Sequence, residues 1–405
     1  MTLSEGPFSQ CQVAGKPELI VASNWRVPLL DPARTYALLE GDLSRAFRRV
    51  IRSGHYILGP EVEALENNVS KWLGVENCVG TSSGTDALLA ALMALEIGPG
   101  DEVVTSPLTF VSTAEVILRL GAIPVFADVC PVCLCIHPNS AAAALSTRTR
   151  AILAVHLFGQ LGHIRELSRL ARDHGIDLIE DACQAFGSTL DNQNAGTFGR
   201  AACFSFFPSK PFGGFGDAGL VCTNDRHLTE RLRSVRSHGR TSKHRFVQLG
   251  GNFRIDSLHA ALLNVLIPRV KNWLTIRRQQ ARTYTDDLRH VSGVVTPGGC
   301  GYTESAWGAY TIRVPEYRDA LVRHLANDGV ETAIYYPLTL AEQPLFSGKI
   351  REAGALRHAT RAAREVVSLP IFPGLSLVEQ TLVTASIGDF FKGMRARQPS
   401  FQVSP

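Results

Sequence analysis

Short apolar runs alternate with longer amphipathic segments between about residues 75 and 240. The apolar runs are rich in β-branched residues, and the segments between them carry apolar residues at helical spacing. This alternation predicts a parallel β-sheet that is covered by helices on both faces. The strand candidates are ENCVG, DEVVTS, IPVFADV, RAILAVHLFG, IDLIED, AACFSFF and GLVCT.

The helical segments have recognisable ends. VSTAEVILRL stops before Gly121 and IRELSRLARDH stops before Gly175, and glycine commonly ends a helix. The long stretch SLHAALLNVLIPRVKNWLTIRRQQARTYTDDL has Pro268 in its middle, so we expect a bend there, at a junction between domains. Beyond residue 293 the pattern predicts strand YTIRV, helix RDALVRHLAND, strand ETAIYY and helix LVEQTLVTASIGDF.

These elements predict an α/β fold with three parts. We expect an N-terminal segment at residues 1–44, a large α/β domain with a mainly parallel sheet at 45–270, and a smaller C-terminal α+β domain at 271–405. The charged fraction is 19% and the net charge is +4, without the basic stripe of a nucleic-acid binder. No apolar run reaches the length of a membrane-spanning helix.

The cysteines and the start of the chain favour a cytoplasmic protein. MTLSEGPFSQ lacks the pattern of a secretory signal, and nine scattered cysteines are typical of reduced thiols. Cys130, Cys133 and Cys135 cluster in VCPVCLCIHP, where His137 is the one nearby candidate for a fourth zinc ligand. We therefore expect a surface loop there and no metal.

One segment predicts an anion site. GTSSGTDALLAALMAL is a turn rich in glycine and hydroxyl groups that opens an amphipathic helix. The free amides of such a helix start, with the hydroxyl of Thr85, suit a phosphate group. Simple helix capping is the alternative interpretation.

An acid and a lysine are predicted at the same sheet edge. In DLIEDACQAFGS, Glu180 and Asp181 point in opposite directions along a strand, so at most one of them faces a given site. Asp181 ends one strand, and Lys210 follows another in FSFFPSKPFGGFGDAGLV. An acid, a lysine and a phosphate cradle are what pyridoxal phosphate requires. We expect the glycines after Lys210 to let backbone pass close to a flat cofactor.

The chain resembles the DegT/DnrJ/EryC1/StrS family of pyridoxal-phosphate aminotransferases, which act on keto sugars attached to nucleotides. The matching motifs are, in family order, GHYILGPEVEALE, GTSSGTDAL, GPGDEVVTSPLTFVSTA, VHLFGQ, LIEDACQA, FSFFPSKPFGGFGDAGLVCTND and GGNFRIDSLHAAL. The resemblance implies the fold-type I architecture of pyridoxal-phosphate-dependent transferases.

The resemblance also implies a role for each matching residue. Lys210 would form the Schiff base with pyridoxal 5'-phosphate, Asp181 would pair with the pyridine nitrogen, and Gln184 would hydrogen-bond the phenolic oxygen. Phe110 would stack on the ring. The phosphate would lie against Gly84, Thr85 and Ser205, with Asn252 of a second subunit reaching it, which makes a homodimer with shared active sites.

The expected activity is transfer of an amino group from an amino acid, L-glutamate by resemblance, to a nucleotide-linked keto sugar. The sequences GGNFRIDSLHAAL and PSKP resemble those of family members that act on 3-keto sugars, which implies amination at C3. Amination at C4, amination of a cyclic ketone of the inosamine type, and a non-catalytic regulator that keeps the fold and cofactor are the alternatives.

Overall fold

A computed structural model describes residues 25–301 and 303–397. Its strands are β1 Asn77–Thr81, β2 Glu102–Thr105, β3 Ile123–Phe126, β4 Thr149–Val155, β5 Asp177–Asp181, β6 Thr189–Leu190, β7 Gln193–Asn194, β8 Ala201–Ser205, β9 Gly219–Thr223, β10 Arg240–Ser242, β11 Arg245–Phe246, β12 Thr303–Glu304, β13 Tyr310–Arg313, β14 Arg351–Glu352 and β15 Val366–Leu369. Its α-helices are α1 Pro32–Tyr36, α2 Glu40–Ser53, α3 Pro60–Leu73, α4 Gly84–Ala94, α5 Ser112–Arg119, α6 Pro138–Ala144, α7 Ile164–Asp173, α8 Arg226–Val235, α9 Ser257–Leu288, α10 Arg318–Asn327, α11 Arg357–Glu365 and α12 Leu377–Arg397.

The central element is an eight-stranded sheet with the order β1-β9-β8-β5-β4-β2-β3-β14. The pairs from β14 to β8 are parallel, which confirms the mainly parallel sheet. The pairs β8–β9 and β9–β1 are antiparallel, so the sheet is mainly and not wholly parallel. The reason is the connection from β8 to β9, which is a loop that turns back and lacks the crossover helix that parallel neighbours need.

The sheet separates two apolar layers. Successive residues of one strand belong to different layers, as Val103 and Val104 of β2 do. One layer contains residues of α4, α5 and α8, and the other contains residues of α3, α6, α7 and α9. Burial on both faces explains why these strands read as continuous apolar runs. None of the helices in the described ranges could cross a membrane, since none combines enough length with enough hydropathy.

The C-terminal part has its own small sheet, in which β13 pairs antiparallel with β15. YTIRV, RDALVRHLAND and LVEQTLVTASIGDF form the strand and helices expected from them. ETAIYY does not form a strand, because the chain makes one bridge, between Ala333 and Ser368, and then turns away. Tyr335 and Tyr336 consequently lie outside the strands of both sheets.

Helix α9 runs unbroken from Ser257 to Leu288 with Pro268 inside it. The sequence predicted a bend at this proline, and the helix is not interrupted there. The domain boundary expected at residue 270 lies inside this helix, and β14 of the C-terminal part joins the large sheet. The boundary therefore stays a prediction. Residues 1–24 of the expected N-terminal segment and 398–405 of the expected C-terminal domain lie outside the described residues.

A buried carboxylate attaches the edge strand β14 to the sheet. Glu102 is fully buried, and its Oε2 accepts a hydrogen bond from Arg351 Nη2 at 2.7 Å. Ser146 Oγ donates to the same oxygen at 2.7 Å, and Arg148 Nη2 donates to Oε1 at 2.6 Å. Burial alone would raise the pKa of Glu102, but the hydrogen bonds from Arg351 and Ser146, together with the charges of Arg351 and Arg148, lower that pKa below its ordinary value.

We predict that Glu102→Gln lowers the free energy of unfolding by about 2 kcal/mol at pH 7, because the charge-assisted hydrogen bonds weaken. A lowered pKa in the folded state stabilises the protein above the unfolded pKa, and this contribution disappears as the pH falls through the folded pKa. The difference between wild type and variant should therefore shrink below about pH 4.5. Urea unfolding at several pH values measures it.

Glu352→Gln is the matched control, because Glu352 is exposed on the same edge strand. It should change the free energy of unfolding by less than about 0.5 kcal/mol. Equal effects of the two substitutions, or a Glu102→Gln effect that does not vary with pH, would contradict the conclusion that the ionised Glu102 carboxylate attaches β14 to the sheet.

Candidate functional site

A cavity of about 520 Å³ opens between the carboxyl ends of the central strands and the C-terminal part. Seven of the eight predicted site residues line it, although the first and the last of them are 126 positions apart in sequence. They are Gly84, Thr85, Phe110, Asp181, Gln184, Ser205 and Lys210. The location agrees with the rule that α/β folds bind ligands outside the carboxyl ends of their strands.

Asp181, the last residue of β5, is buried at the floor of the cavity. Its Oδ2 accepts a hydrogen bond from Thr113 Oγ1 at 2.7 Å, and its Oδ1 accepts one from the Cys183 N–H at 3.3 Å. Thr113 is itself hydrogen-bonded to Thr109 at 3.0 Å. These contacts fix the orientation of a carboxylate that faces the cavity.

Glu180, the neighbour of Asp181, faces away from the cavity. It is fully buried, and its carboxylate accepts hydrogen bonds from the backbone N–H groups of Gly196, Phe198 and Gly199 at 2.7 to 2.8 Å. The ring of His156 lies 2.8 Å from it through Nε2. The alternation expected along the strand therefore holds, and His156 is a structural partner of Glu180.

The first turn of α4 closes tightly on β8. Ser83 caps the helix by accepting the Asp86 N–H at 3.0 Å. A Cβ at position 84 would lie 2.7 Å from Ser205 Cβ and 3.0 Å from Cys183 Sγ, so only glycine fits. The start of the helix, the Thr85 side chain and the Ser205 hydroxyl consequently lie together at one end of the cavity. Such a helix start is an anion site.

Lys210 is held in a compact loop between β8 and β9. Its backbone N–H donates to Phe207 O at 2.9 Å, and Gly214 N–H donates to Phe206 O at 2.7 Å. Phe212 is fully buried and packs against Phe206, with ring centroids 4.8 Å apart. This anchor lets a partly exposed lysine project into the cavity from a fixed backbone.

The glycines after Lys210 have a different purpose from the one expected. Gly213, Gly214 and Gly216 do not line the cavity in the described part of the chain. A Cβ on Gly213 would lie 2.4 Å from Pro208 O, and one on Gly216 would lie 2.8 Å from His259 Nε2. The glycines allow the loop to fold back on the protein's own atoms.

Gln184 and Tyr336 form a hydrogen-bonded part of the cavity wall. Gln184 Oε1 accepts the Phe158 N–H at 2.8 Å, and its amide nitrogen donates to Tyr336 Oη at 3.4 Å. Burial, followed by the negative charge of Asp181, raises the pKa of Tyr336, so its hydroxyl stays protonated. Phe110 is half exposed at the mouth, with its ring centroid 6.3 Å from that of Tyr336.

Charges near the floor act in opposite directions on one thiol. Burial, followed by the charge of Asp181, raises the pKa of Cys183, while the charge of Lys210 lowers it. Cys183 therefore lies within electrostatic reach of both predicted functional groups and stays a neutral thiol at physiological pH. Asp181 and Lys210 both line this cavity, as the sequence predicted.

Asn252 does not line this cavity. Asn252 is exposed and forms a β-bridge with Ser237, which does not line the cavity either. The sequence expectation placed it in the site of a neighbouring subunit, so its role stays a prediction.

The structure adds several lining residues that sequence reasoning missed. The C-terminal part contributes Gly308, Ala309, Tyr335, Tyr336, Ser368, Leu369 and Ile371, and the N-terminal part contributes Leu29 and Leu30. Thr113 of α5, which orients Asp181 without lining the cavity, was missed as well, although the hydroxyl-rich run SPLTFVSTA at the start of that helix could have indicated a donor. No motif in the sequence announced the C-terminal contributions.

Comparisons with known proteins agree with this arrangement. The model of the DegT/DnrJ/EryC1/StrS aminotransferase family matches residues 39–388. A pleiotropic regulatory protein of Geobacillus stearothermophilus is 40% identical over 368 residues, which cover 90% of this chain and 99% of that protein. The UDP-2-acetamido-2-deoxy-3-oxo-D-glucuronate aminotransferase of Pseudomonas aeruginosa is 35% identical over 361 residues, which cover 89% of this chain and 99% of that enzyme.

A solved structure shows the same fold. S. venezuelae DesV in complex with a ketimine intermediate superposes with a TM-score of 0.88 at 35% sequence identity. The superposition covers 91% of this chain and 99% of that chain. The similarity therefore extends over nearly the whole of both proteins.

We predict that Thr113→Val weakens the binding of pyridoxal phosphate about tenfold, because a hydrogen bond to a charged group contributes about 1.5 kcal/mol. The dissociation constant can be measured from the cofactor's absorption at several pH values. The pH dependence of that spectrum should also change, since the Asp181 carboxylate loses its donor.

Thr113→Ser keeps the hydroxyl and should restore the binding. Thr105→Val is the matched control, because Thr105 Oγ1 donates to Leu153 O at 2.8 Å within the same sheet and away from the cavity. An unchanged affinity and spectrum in Thr113→Val would show that Thr113 does not position Asp181.

Proposed function

The chain belongs to the DegT/DnrJ/EryC1/StrS aminotransferase family, and from that premise we propose that it transfers an amino group from L-glutamate to carbon 3 of a nucleotide-linked keto sugar. The chain is an aminotransferase, and pyridoxal 5'-phosphate is its cofactor. The observation that supports the proposal is the convergence of an amine, a buried carboxylate and an anion site in one cavity.

The residues present fit this cofactor. Gly84 lets the start of α4 pack closely on β8, so the Ser205 and Thr85 hydroxyl groups lie beside the helix start, where they would hold the phosphate. The Asp181 carboxylate lies at the floor, where the ring nitrogen would bind, and Gln184 offers an amide beside it for the phenolic oxygen. Phe110 stands at the mouth to cover the ring.

When bound, pyridoxal phosphate carries the amino group between the two substrates and stabilises negative charge on the carbon that loses a proton. Asp181 would keep the ring nitrogen protonated, because Thr113 and the Cys183 N–H hold the carboxylate in place. Lys210 would hold the cofactor through its amine. Once released, the neutral Lys210 amine would be the base that moves a proton between the two carbons on either side of the transferred nitrogen.

Carbon 3 is proposed on two grounds. The Pseudomonas aeruginosa relative is named for a 3-oxo sugar. The sequences GGNFRIDSLHAAL and PSKP also resemble those of family members that act at carbon 3. Amination at C4 and amination of a cyclic ketone are the competing assignments.

We propose in addition that the enzyme is a homodimer, in which Asn252 reaches the partner's phosphate. Phe246, Val247 and Leu249 lie near Asn252 in sequence and are all more than half exposed. An exposed apolar cluster of this kind is typical of an interface. Sedimentation that shows a monomer at working concentrations would contradict the homodimer.

A cytoplasmic location is also proposed. The cysteines of residues 25–301 and 303–397 are free of disulfide bonds, which suits a reducing compartment.

We expect nucleotide-linked 3-amino sugars to convert the enzyme from its pyridoxal form to its pyridoxamine form when the reaction is run in reverse. The change is followed by the loss of the cofactor's visible absorption. The panel should include matched 4-amino sugars and an aminated cyclitol. Conversion by the 4-amino sugars or the cyclitol alone would contradict the assignment to carbon 3.

The first half-reaction is tested in the same way, with L-glutamate as the donor. A cofactor colour that no amino acid changes would favour the regulator that the name of the Geobacillus stearothermophilus relative suggests. Bleaching by L-glutamate would favour the enzyme.

Lys210→Ala should lower turnover at least about a hundredfold, because the amine that moves the proton is lost. Borohydride reduction followed by mass spectrometry should attach the cofactor to Lys210 in the wild type and to no lysine in the variant. Lys71→Ala, which removes an exposed lysine on α3, is the matched control. Retained turnover, or labelling of another lysine in the wild type, would overturn the role of Lys210.

A further inference from the structure

Four side chains with metal-binding atoms converge at a place outside the cavity. They are Cys130, Cys133, His163 and Cys300, and one donor atom from each lies within 4.8 Å of every other. They come from three separate segments, which follow β3, precede α7 and precede β12. None of the four lines the cavity described above, and the chemistry of that cavity does not use them.

The structure corrects the sequence-based picture of these cysteines. Cys130 and Cys133 are buried, with 5% and 3% of their surface exposed, whereas Pro131 and Val132 between them face solvent. The segment therefore reaches the surface only at its tip, and its cysteines point inward. The two other candidates have different partners. Cys135 Sγ donates to Gln160 O at 3.2 Å, and His137 Nδ1 accepts the Asn139 N–H at the start of α6.

The backbone around Cys130 is shaped to present two sulfurs. Cys130 N–H donates to Cys135 O at 2.8 Å, and Leu134 N–H donates to Cys130 O at 3.0 Å, which closes a tight turn. Val132 N–H points at Cys130 Sγ from 3.4 Å. An N–H directed at sulfur stabilises a thiolate, which is the form that binds metals.

His163 has one nitrogen free for a ligand. Its Nδ1 lies 3.7 Å from Glu166 Oε1, whereas its Nε2 is buried and has no hydrogen-bond partner within the described ranges. A histidine that binds a metal commonly directs its second nitrogen towards a carboxylate. A buried polar atom without a partner is costly, so the free Nε2 itself indicates a missing ligand.

The separation between two of the sulfurs is that of unbonded thiols and is compatible with a shared metal ion. Cys130 Sγ and Cys300 Sγ are 3.7 Å apart, whereas a disulfide bond requires about 2.05 Å. Two sulfurs bound to one tetrahedral zinc at about 2.3 Å lie about 3.8 Å apart. The observed distance matches the second geometry.

We propose that Cys130, Cys133, Cys300 and His163 Nε2 bind one structural Zn²⁺ ion. Three thiolates and one imidazole are a donor set that favours zinc in a closed tetrahedral site. The ion joins the turn after β3, the start of α7 and the segment before β12. The loop between β4 and α7 contains both His163 and Phe158, and the Phe158 N–H donates to Gln184 Oε1 in the cavity wall. A zinc ion bound by His163 therefore restrains the loop that holds Gln184.

The test uses tag-free protein purified under reducing conditions from cells supplied with zinc. We expect about one zinc per chain by elemental analysis. X-ray absorption should show about three sulfur neighbours at about 2.3 Å and about one nitrogen neighbour at about 2.0 Å. Cys300→Ser and His163→Ala should lose most of the zinc.

Cys135→Ser is the matched control, because Cys135 is a buried neighbour that lies outside the ligand set. It should keep the full zinc content. Should the ligand variants fail to fold, the wild type provides the second measurement. Removal of zinc by a strong chelator should lower Tm, and Zn²⁺ but not Mg²⁺ should restore it.

Several results would overturn the proposal. They are less than about a tenth of an equivalent of zinc in the wild type, iron in its place, zinc bound to nitrogen and oxygen alone, and a Cys130–Cys300 disulfide in the reduced preparation. Equal zinc contents of Cys300→Ser, His163→Ala and wild type would overturn it as well.

Discussion

The opposite orientation of two adjacent carboxylates at the end of β5 is the constraint on which the site depends. Glu180 is held on one side of the strand by three backbone N–H groups and by His156, all within 2.8 Å. A buried carboxylate with this many partners cannot rotate without leaving them unpaired. Because side chains alternate along a strand, fixing Glu180 determines where Asp181 points. The chemistry at the cavity floor is thus specified by a residue that never touches the cavity.

Much of the fold was predictable because its main signal is local. Most strands of the central sheet contain an apolar run that is buried on both faces, so β2, β4 and β9 can be recognised from composition alone. The features that were missed depend on contacts between distant residues. β14 has two residues, and its position beside β3 depends on the contact of Arg351 with Glu102. ETAIYY has the composition of a strand, but the single bridge at Ala333 ends the pairing.

The same distinction applies to the site. Gly84, Asp181 and Lys210 each lie next to a strand or helix end that the pattern reveals, so the topology of the sheet predicts that they meet. Tyr336 reaches the cavity from the C-terminal part, after a segment whose predicted strand does not form. Thr113 lies on a predicted helix, but its hydrogen bond to Asp181 depends on tertiary structure. Cys300 and His163 are 137 positions apart and meet only through tertiary structure. The resemblance to a family supplied roles for motif residues and could not supply these neighbours.

The edge strand β14 has a consequence for how the chain is made. Residues 351 and 352 complete the central sheet by pairing with β3, although every other strand of that sheet lies before residue 224. During synthesis the ribosome must therefore add more than a hundred residues after β9 before β14 can pair with the edge of β3 that faces away from β2. Throughout that interval β3 presents unpaired backbone groups, to which the same strand of another nascent chain can bind. Premature termination upstream of Arg351 consequently yields an aggregation-prone fragment instead of a shorter enzyme.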